Sequence, residues 1–552
     1  MADGTATEMT ALETFALELV SPTLPSPASG GGKGGGADDA RELVELHFID
    51  TIGAWIASMG SVEGLLLLKF RAAMRETAKT DNALDLSTRC ALARASEIDD
   101  IHLASMTTPG GIVIPAALTL AATRPAITAD ELAAAIVVGY EAMTRLGRAI
   151  DGPSVLYRGI WPTYFAAPFA VAAVAARILK LDATQTAHAL ALALTLSAAG
   201  VGQHLGETTA RWFAIGEAAT KGLTSARAAQ QGFTSDLDLL AENFLPQIFG
   251  ISPQIEALTD GLGRQSTLTE VSFKPWCAAR QTMAATQALL EIIESGIPPQ
   301  SIDSIRAFVL PPHRRMIDHG VKEGDRASHL TSVQYQMAVA ALGEQPTGAL
   351  APEHVQHGRL TSPRNPGLPG LRSMLRKSGK PDLRWGVVGM CAPRAHIPGE
   401  GVLDPHDGTP HPDRAQARDP TSPSGRGARP LDDSTSSKSA LVQAFMKKIT
   451  VEPDETLLKA YPYSWPARVA VTAGSARYER TVTDIPGDPA RPFDRARVRE
   501  KFMRFVAPVT GKESADRILD ACTDAFAAGS FASLLEAIER VGTEKLASAK
   551  AS

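Results

Sequence analysis

Two short stretches of the 552-residue chain concentrate residues with chemistry to offer. The first, ARASEIDDIHLASMTTPGGIVIPAALTLAA, holds Glu97, Asp99 and Asp100, with His102 two residues beyond the last acid. A TTPGG turn follows and runs into an apolar helix pattern. Small hydroxyl residues and glycines ahead of a helix leave several backbone N–H groups facing outward, which makes an anion site. The same pattern also describes a capped helix start with solvated acids. The second stretch, VSFKPWCAARQTMAATQAL, puts Lys274, Trp276 and Cys277 within four positions and follows them with Arg280 and Gln281. Lysine and arginine beside a helix start bind carboxylate through charge-assisted hydrogen bonds. A Lys-Pro turn next to Trp276 and Arg280 has little structural purpose of its own. Arg280 could equally pair with an acid across an interface, and His102 could equally be a satisfied buried histidine. Cys277 has no evident histidine partner and reads as a packed thiol rather than a nucleophile.

The rest of the chain must position these groups. Hydrophobic residues make up 44% and charged residues 21%, ordinary values for a globular protein, so a large core is expected. A net charge of -5 gives no reason to expect nucleic acid or an anionic membrane as partner. Cys90, Cys277, Cys391 and Cys522 form no CxxC pair and fit neither a zinc site nor a secreted disulfide framework. The N-terminus has no basic region before an apolar run, and the apolar windows 164–181 and 186–200 carry Arg177 and His188. Both windows read as buried helices, and the expected setting is cytoplasmic.

A helical domain is expected over 8–267, and from about 59 to 233 nearly every segment has helical period. In ITADELAAAIVVGYEAMTRLGRAI, Thr128 and Glu131 form a capping-box pattern, and Leu132, Ile136, Tyr140, Met143, Gly147 and Ile150 share one face. Asp182 and Gln185 repeat the box. From 268 to 490 the texture becomes α+β. IDSIRAFVLP, KKITVEPD and ARVAVTAGSARYERTVTDIPGD read as strands, the last with a turn at Gly474, and HLTSVQYQMAVAALGE reads as a helix. Residues 491–545 are helical again and are expected to return to the first part. Residues 345–437 are rich in Pro, Gly, Arg and Ser without sustained period, and read as a low-complexity insertion. His396, His406 and His411 lie there beside Asp404 and Asp407 in accidental company rather than as a metal site.

Taken in order, these segments resemble the MmgE/PrpD family, which includes 2-methylcitrate dehydratase, cis-aconitate decarboxylase and an iminodisuccinate epimerase. KPWCAARQTM, Lys274 to Met283, is similar to the family's KPYPCCRxTH turn, and DDIHLASMTTPGG is similar to its DDTH…HPG segment. FIDTIGAWIASM, VVGYEAMTRLGRAI, FAVAAVAARILKLDATQ, SVQYQMAVAALGE and the tail from KITVEPD to REKF match in order. The resemblance covers about residues 8–540 outside 345–437. It implies a mainly α protein, with a large all-helical domain and a smaller α+β lid, that works as a homodimer without metal or cofactor. The implied activity is that of a lyase, most simply a dehydratase, acting on a small di- or tricarboxylate. An epimerase, a decarboxylase or an inactive carboxylate-binding homologue are the alternatives. The chemistry would begin with removal of a proton α to a carboxylate, which needs a base, an acid for the leaving group and cations for the developing charge.

Carried over residue by residue, the resemblance assigns Lys274 and Arg280 to the motif's lysine and arginine, and Tyr335 to an active-site tyrosine. Asp99 and Asp100 fall on the paired acids, with Glu97 near a further acidic position, and Arg211 stands where many members have lysine. Three histidines common in the family are replaced by Thr108, Trp161 and Met283. His102, Tyr335, Asp99 and Asp100 are therefore the expected catalytic set, with one of the acids orienting His102. Lys274, Arg280, Arg211, Thr108 and Gln281 are the expected substrate-binding set.

Overall fold

The computed structural model describes residues 9–20, 37–76, 81–124, 126–198, 208–240, 244–264, 266–322, 325–342, 433–529 and 531–551. Among the described residues, those of 9–342 and 438–551 belong to one compact unit. The 345–437 insertion, apart from its last five residues, lies outside the described residues with its three histidines.

The first part of the chain is helical because its caps and apolar periods agree. The helices are α1 (Ala11–Val20), α2 (Ala37–Ser58), α3 (Val62–Arg75) and α4 (Asn82–Ala95), then, after the two-residue strand β1 (Ile101–His102), α5 (Gly110–Ala121), α6 (Ala129–Ala149), α7 (Gly152–Leu156), α8 (Pro162–Leu179), α9 (Ala183–Thr195) and α10 (Ala210–Gln230). Both expected capping boxes form: Thr128 with Glu131 starts α6, and Asp182 with Gln185 starts α9. Each box satisfies two N–H groups that a helix start leaves open. The face running from Leu132 to Ile150 is buried throughout.

Alanine and glycine let these helices approach backbone to backbone. A Cβ on Gly222 of α10 would lie 2.2 Å from the Pro168 carbonyl oxygen of α8, and one on Gly216 would lie 2.4 Å from the Ser87 oxygen of α4. α8 is long and apolar enough to cross a membrane, but 89% of it is buried inside the protein, as befits a core helix. Val498, Phe502, Phe526 and Ile538, from helices Arg495–Thr510, Lys512–Ala528 and Phe531–Ala551, join the same core as α1 to α10.

A second core lies around a four-stranded sheet of order β4-β3-β5-β6. Its strands are β3 (Ser304–Val309), β4 (Ile449–Pro453), β5 (Ala467–Ala473) and β6 (Ala476–Val482). β3 runs parallel to β4 and antiparallel to β5, while β5 and β6 form a hairpin through Gly474 at φ 58°. Parallel neighbours need a crossover. The connection from β3 to β4 carries α13 (Pro311–Ile317), α14 (Arg326–Thr331) and α15 (Val333–Ala341), and in sequence the segment 345–437 falls within it. Ahead of β3, a short α11 (Glu256–Thr259) and a second two-residue strand, β2 (Val271–Ser272), lead into α12 (Arg280–Glu294), which packs on the sheet.

One contact joins the two chemistry-bearing stretches. β1 pairs antiparallel with β2, Ile101 opposite Ser272 and His102 opposite Val271. This ladder places the Glu97–His102 segment beside the Lys274 turn.

Candidate functional site

Lys274 leaves β2 and turns inward, where it is only 2% exposed. Its Nζ donates to the Glu97 carbonyl oxygen at 3.2 Å and to Glu97 Oε2 at 3.3 Å, and it lies 4.0 Å from Asp99 Oδ1. Arg211, at the start of α10, reaches the other oxygen of Glu97. Arg94, in the last turn of α4, grips both oxygens of Asp99 and lies 3.5 Å from Glu97 Oε1. Three cations and two carboxylates thus share one buried centre, with a net charge of +1 when all are ionised. Glu97 takes the left-handed backbone conformation, φ 60°, which a non-glycine residue rarely adopts and which turns its side chain into this centre.

The charges act strongly on one another because water is excluded. Burial alone would raise the Glu97 carboxyl, but Arg94, Lys274 and Arg211 outweigh it and hold Glu97 well below the usual carboxylate range. For Asp99 burial wins over Arg94 and Lys274, Glu97 adds to it, and the carboxyl is pushed up to about 6. Burial works against the Arg94 guanidinium, yet Asp99 and Glu97 keep it charged. The Nε atoms of Arg94 and Arg211 are buried without a hydrogen-bond partner.

The expected pair of acids is split. Asp100 points the other way, accepting from the Tyr140 hydroxyl at 2.6 Å and the Gly110 N–H at 2.8 Å, with His47 Nδ1 at 2.8 Å. The anion that the TTPGG helix start receives is therefore the protein's own Asp100. Burial would raise this carboxyl, but the bonds from His47, Tyr140 and Gly110 lower it. Beneath it Lys501 holds Asp50 at 2.5 Å and donates to the Ile98 carbonyl oxygen at 2.7 Å, which fixes the turn between Glu97 and Asp99.

His102 lies elsewhere than expected. Its Nδ1 accepts from the Ser105 N–H at 3.2 Å, and its Nε2 faces Glu270 at 3.3 Å and Arg148 at 3.2 Å, so Glu270 rather than Asp99 or Asp100 meets the ring. Burial and the Arg148 charge hold the imidazole well below its usual range and keep it neutral. Thr108 pairs with the Thr163 hydroxyl at 3.2 Å. Of the other replaced histidines, Trp161 lies under the Arg211 guanidinium, 5.3 Å from ring centroid to Cζ, and Met283 is fully buried in the sheet's core.

Arg280 and Gln281 belong to a different neighbourhood. Arg280 bonds Asp488 at 2.5 Å and lies over Trp465, while the Gln281 side chain opposes the rise that burial gives the Tyr157 hydroxyl. Tyr335 is buried on α15 with its ring edge-on to His329, centroids 4.7 Å apart. Its helix pair is anchored to the site's loops. Arg326 donates to the Ala95 and Ser96 carbonyl oxygens, and Ala279 N–H donates to Leu330. The Cys277 thiol bonds the Ser96 oxygen at 2.8 Å and is pushed up to about 11 by burial, which leaves it the packed thiol expected. Among the described residues no cluster of three or more His, Cys, Asp or Glu is placed to hold a metal ion.

Sequence reading missed Arg94, His47, Asp488 and Glu270. Arg94 had a signal, since an arginine in the apolar helix ALARA five residues before Asp99 needs an acid. The others had none, because their partners lie 53 to 208 residues away.

The family model described as the MmgE/PrpD N-terminal domain matches residues 36–250, and the one described as the MmgE/PrpD C-terminal domain matches residues 427–525. Arg94, Glu97, Asp99 and Arg211 fall inside the first match, and Asp488 falls inside the second. Lys274, Arg280, Gln281 and Tyr335 lie between the two. No curated protein matches the chain.

Proposed function

The chain belongs to the MmgE/PrpD family, which is of dehydratase and lyase type, and from that premise we propose that it is a carbon–oxygen lyase acting without a cofactor on a small di- or tricarboxylate. The observation that carries this reading is the buried excess of positive charge. Among the described residues the carboxylates paired with Arg94, Arg211 and Lys274 are Glu97 and Asp99, so an incoming carboxylate completes the balance and uses the donors left over on the arginines.

In this reading one substrate carboxylate is held by Lys274 and Arg211. Removal of the adjacent α-proton puts negative charge onto that carboxylate, where fixed cations stabilise it without reorganising. The electron pair then forms the carbon–carbon double bond as the β-hydroxyl leaves, protonated, as water. Asp99 takes the acid–base part that sequence reading gave to His102. Its carboxyl at about 6 is poised to accept a proton near neutral pH, whereas His102 is engaged by Glu270 and Arg148. His102 becomes a brace for the β1 turn, and Tyr335 is retained as the group that protonates the leaving oxygen. A cytoplasmic homodimer is the setting proposed with it.

One observation favours a second reading. Arg94 occupies both oxygens of Asp99, and a base so held would serve a carboxylate-binding homologue that does not turn over. Incubation with citrate, 2-methylcitrate and cis-aconitate in deuterated water, followed by proton NMR, separates the two. Loss of water or α-proton exchange supports the lyase. Tight binding of all three with neither event supports the second reading.

A further inference from the structure

Around His313, on the far side of the Lys274 turn, buried donors converge without partners. Arg280 is 1% exposed and His313 is 2% exposed. Arg280 spends one nitrogen on Asp488 Oδ2, an oxygen that also accepts from the Ile485 N–H at 2.8 Å, while its Nε and Nη1 bond nothing. His313 Nε2 and the Tyr461 hydroxyl are buried and unbonded as well. The groups are close: the His313 ring lies 4.8 Å from Trp465, 5.7 Å from Tyr461 and 6.5 Å from Tyr157, and Arg280 lies 5.8 Å from Trp465. An unbonded buried donor costs about 1–3 kcal/mol, and here four nitrogen or oxygen atoms are left so in one place. Arg280 is also the first residue of α12, where a cation works against the helix dipole. Neither feature serves the fold. Asp488 Oδ1 and the Tyr157 hydroxyl are unbonded beside them as well.

We propose that Arg280, His313 and Tyr461 form a second carboxylate site, which takes one carboxylate group of a small polycarboxylate by hydrogen bonds from the guanidinium edge, the imidazole and the phenol. The aromatic walls of Trp465, Tyr461 and Tyr157 exclude water and sharpen those bonds. Near neutral pH the imidazole is uncharged, because burial and Arg280 push His313 down to about 3, so it offers a single N–H. The proposal rests on the reading that the chain handles polycarboxylates, yet it uses none of the groups around Lys274.

Isothermal titration of the full chain with propane-1,2,3-tricarboxylate and with propionate tests it. Tyr461→Phe and Arg280→Lys should each weaken tricarboxylate binding about tenfold or more, the usual scale for a hydrogen bond to a charged group. Tyr461→Phe should leave the melting temperature no lower, since the lost hydroxyl bonds nothing and its unpaired burial is costly, and it decides the matter if Arg280→Lys does not fold. Binding of both variants within twofold of wild type would overturn the proposal, as would failure of wild type to bind either probe at millimolar concentration. If Lys274→Met binds normally while these two variants lose affinity, the second site stands and the reading of the Lys274 centre fails.

Discussion

Replacing Lys274 by methionine removes one charge and keeps most of the volume of the stem. The centre then holds Arg94 and Arg211 against Glu97 and Asp99, and its net charge drops from +1 to zero. The fold should tolerate this. Glu97 retains Arg211 and Arg94, and the lost bonds from Nζ, at 3.2 and 3.3 Å, are together worth about 1–3 kcal/mol. Catalysis should not tolerate it. Two unit charges 4 Å apart interact by about 4 kcal/mol at an effective dielectric of 20, and part of that is already used on Glu97 in the free protein. A net loss of about 3–4 kcal/mol from the transition state corresponds to roughly a hundred- to a thousandfold in kcat/KM. The assay is initial rates on whichever of citrate, 2-methylcitrate or cis-aconitate is turned over, with thermal unfolding measured in parallel. A variant that melts near the wild-type temperature and keeps kcat/KM within threefold would refute the charge argument.

Asp99→Asn should cut turnover about a hundredfold or more, and the wild-type rate should rise with pH through an apparent pKa near 6, because a base works only when deprotonated. A pH–rate profile flat from 5 to 8 would remove Asp99 from that role. The same group bears on stability. Its folded carboxyl is raised to about 6 from an ordinary 3.8, so its contribution is fully present below about 3.8 and is lost as pH rises through 6; urea unfolding of Asp99→Asn across that window should lack this trend. His102→Gln should lower stability by about 1–2 kcal/mol and change kcat less than fivefold, and a hundredfold loss of kcat in a well-folded variant would return the base to His102. Gly222→Ala should destabilise by about 1–3 kcal/mol, read as a lower urea midpoint, since its Cβ would meet the Pro168 oxygen at 2.2 Å.

The sequence by itself determined what local rules can express. Capping boxes at Thr128 and Asp182, the buried face from Leu132 to Ile150, the strands over 304–309, 449–453, 467–473 and 476–482, and the turn at Gly474 all follow from periods and caps spanning a few residues. The motifs also brought Lys274, Asp99 and Arg211 to attention, and the structure assembles those three. Direction is what only the tertiary structure decided. Asp99 and Asp100 are adjacent in sequence, yet their carboxylates serve opposite neighbourhoods, because Arg94 and Lys274 stand on one side and His47, Tyr140 and Gly110 on the other. Lys274 and Arg280 share one motif but end in different centres, since the acids that receive them, Glu97 and Asp488, lie 177 residues before and 208 residues after them. A two-residue ladder between β1 and β2 sets this arrangement. It is too short to leave a period in the sequence.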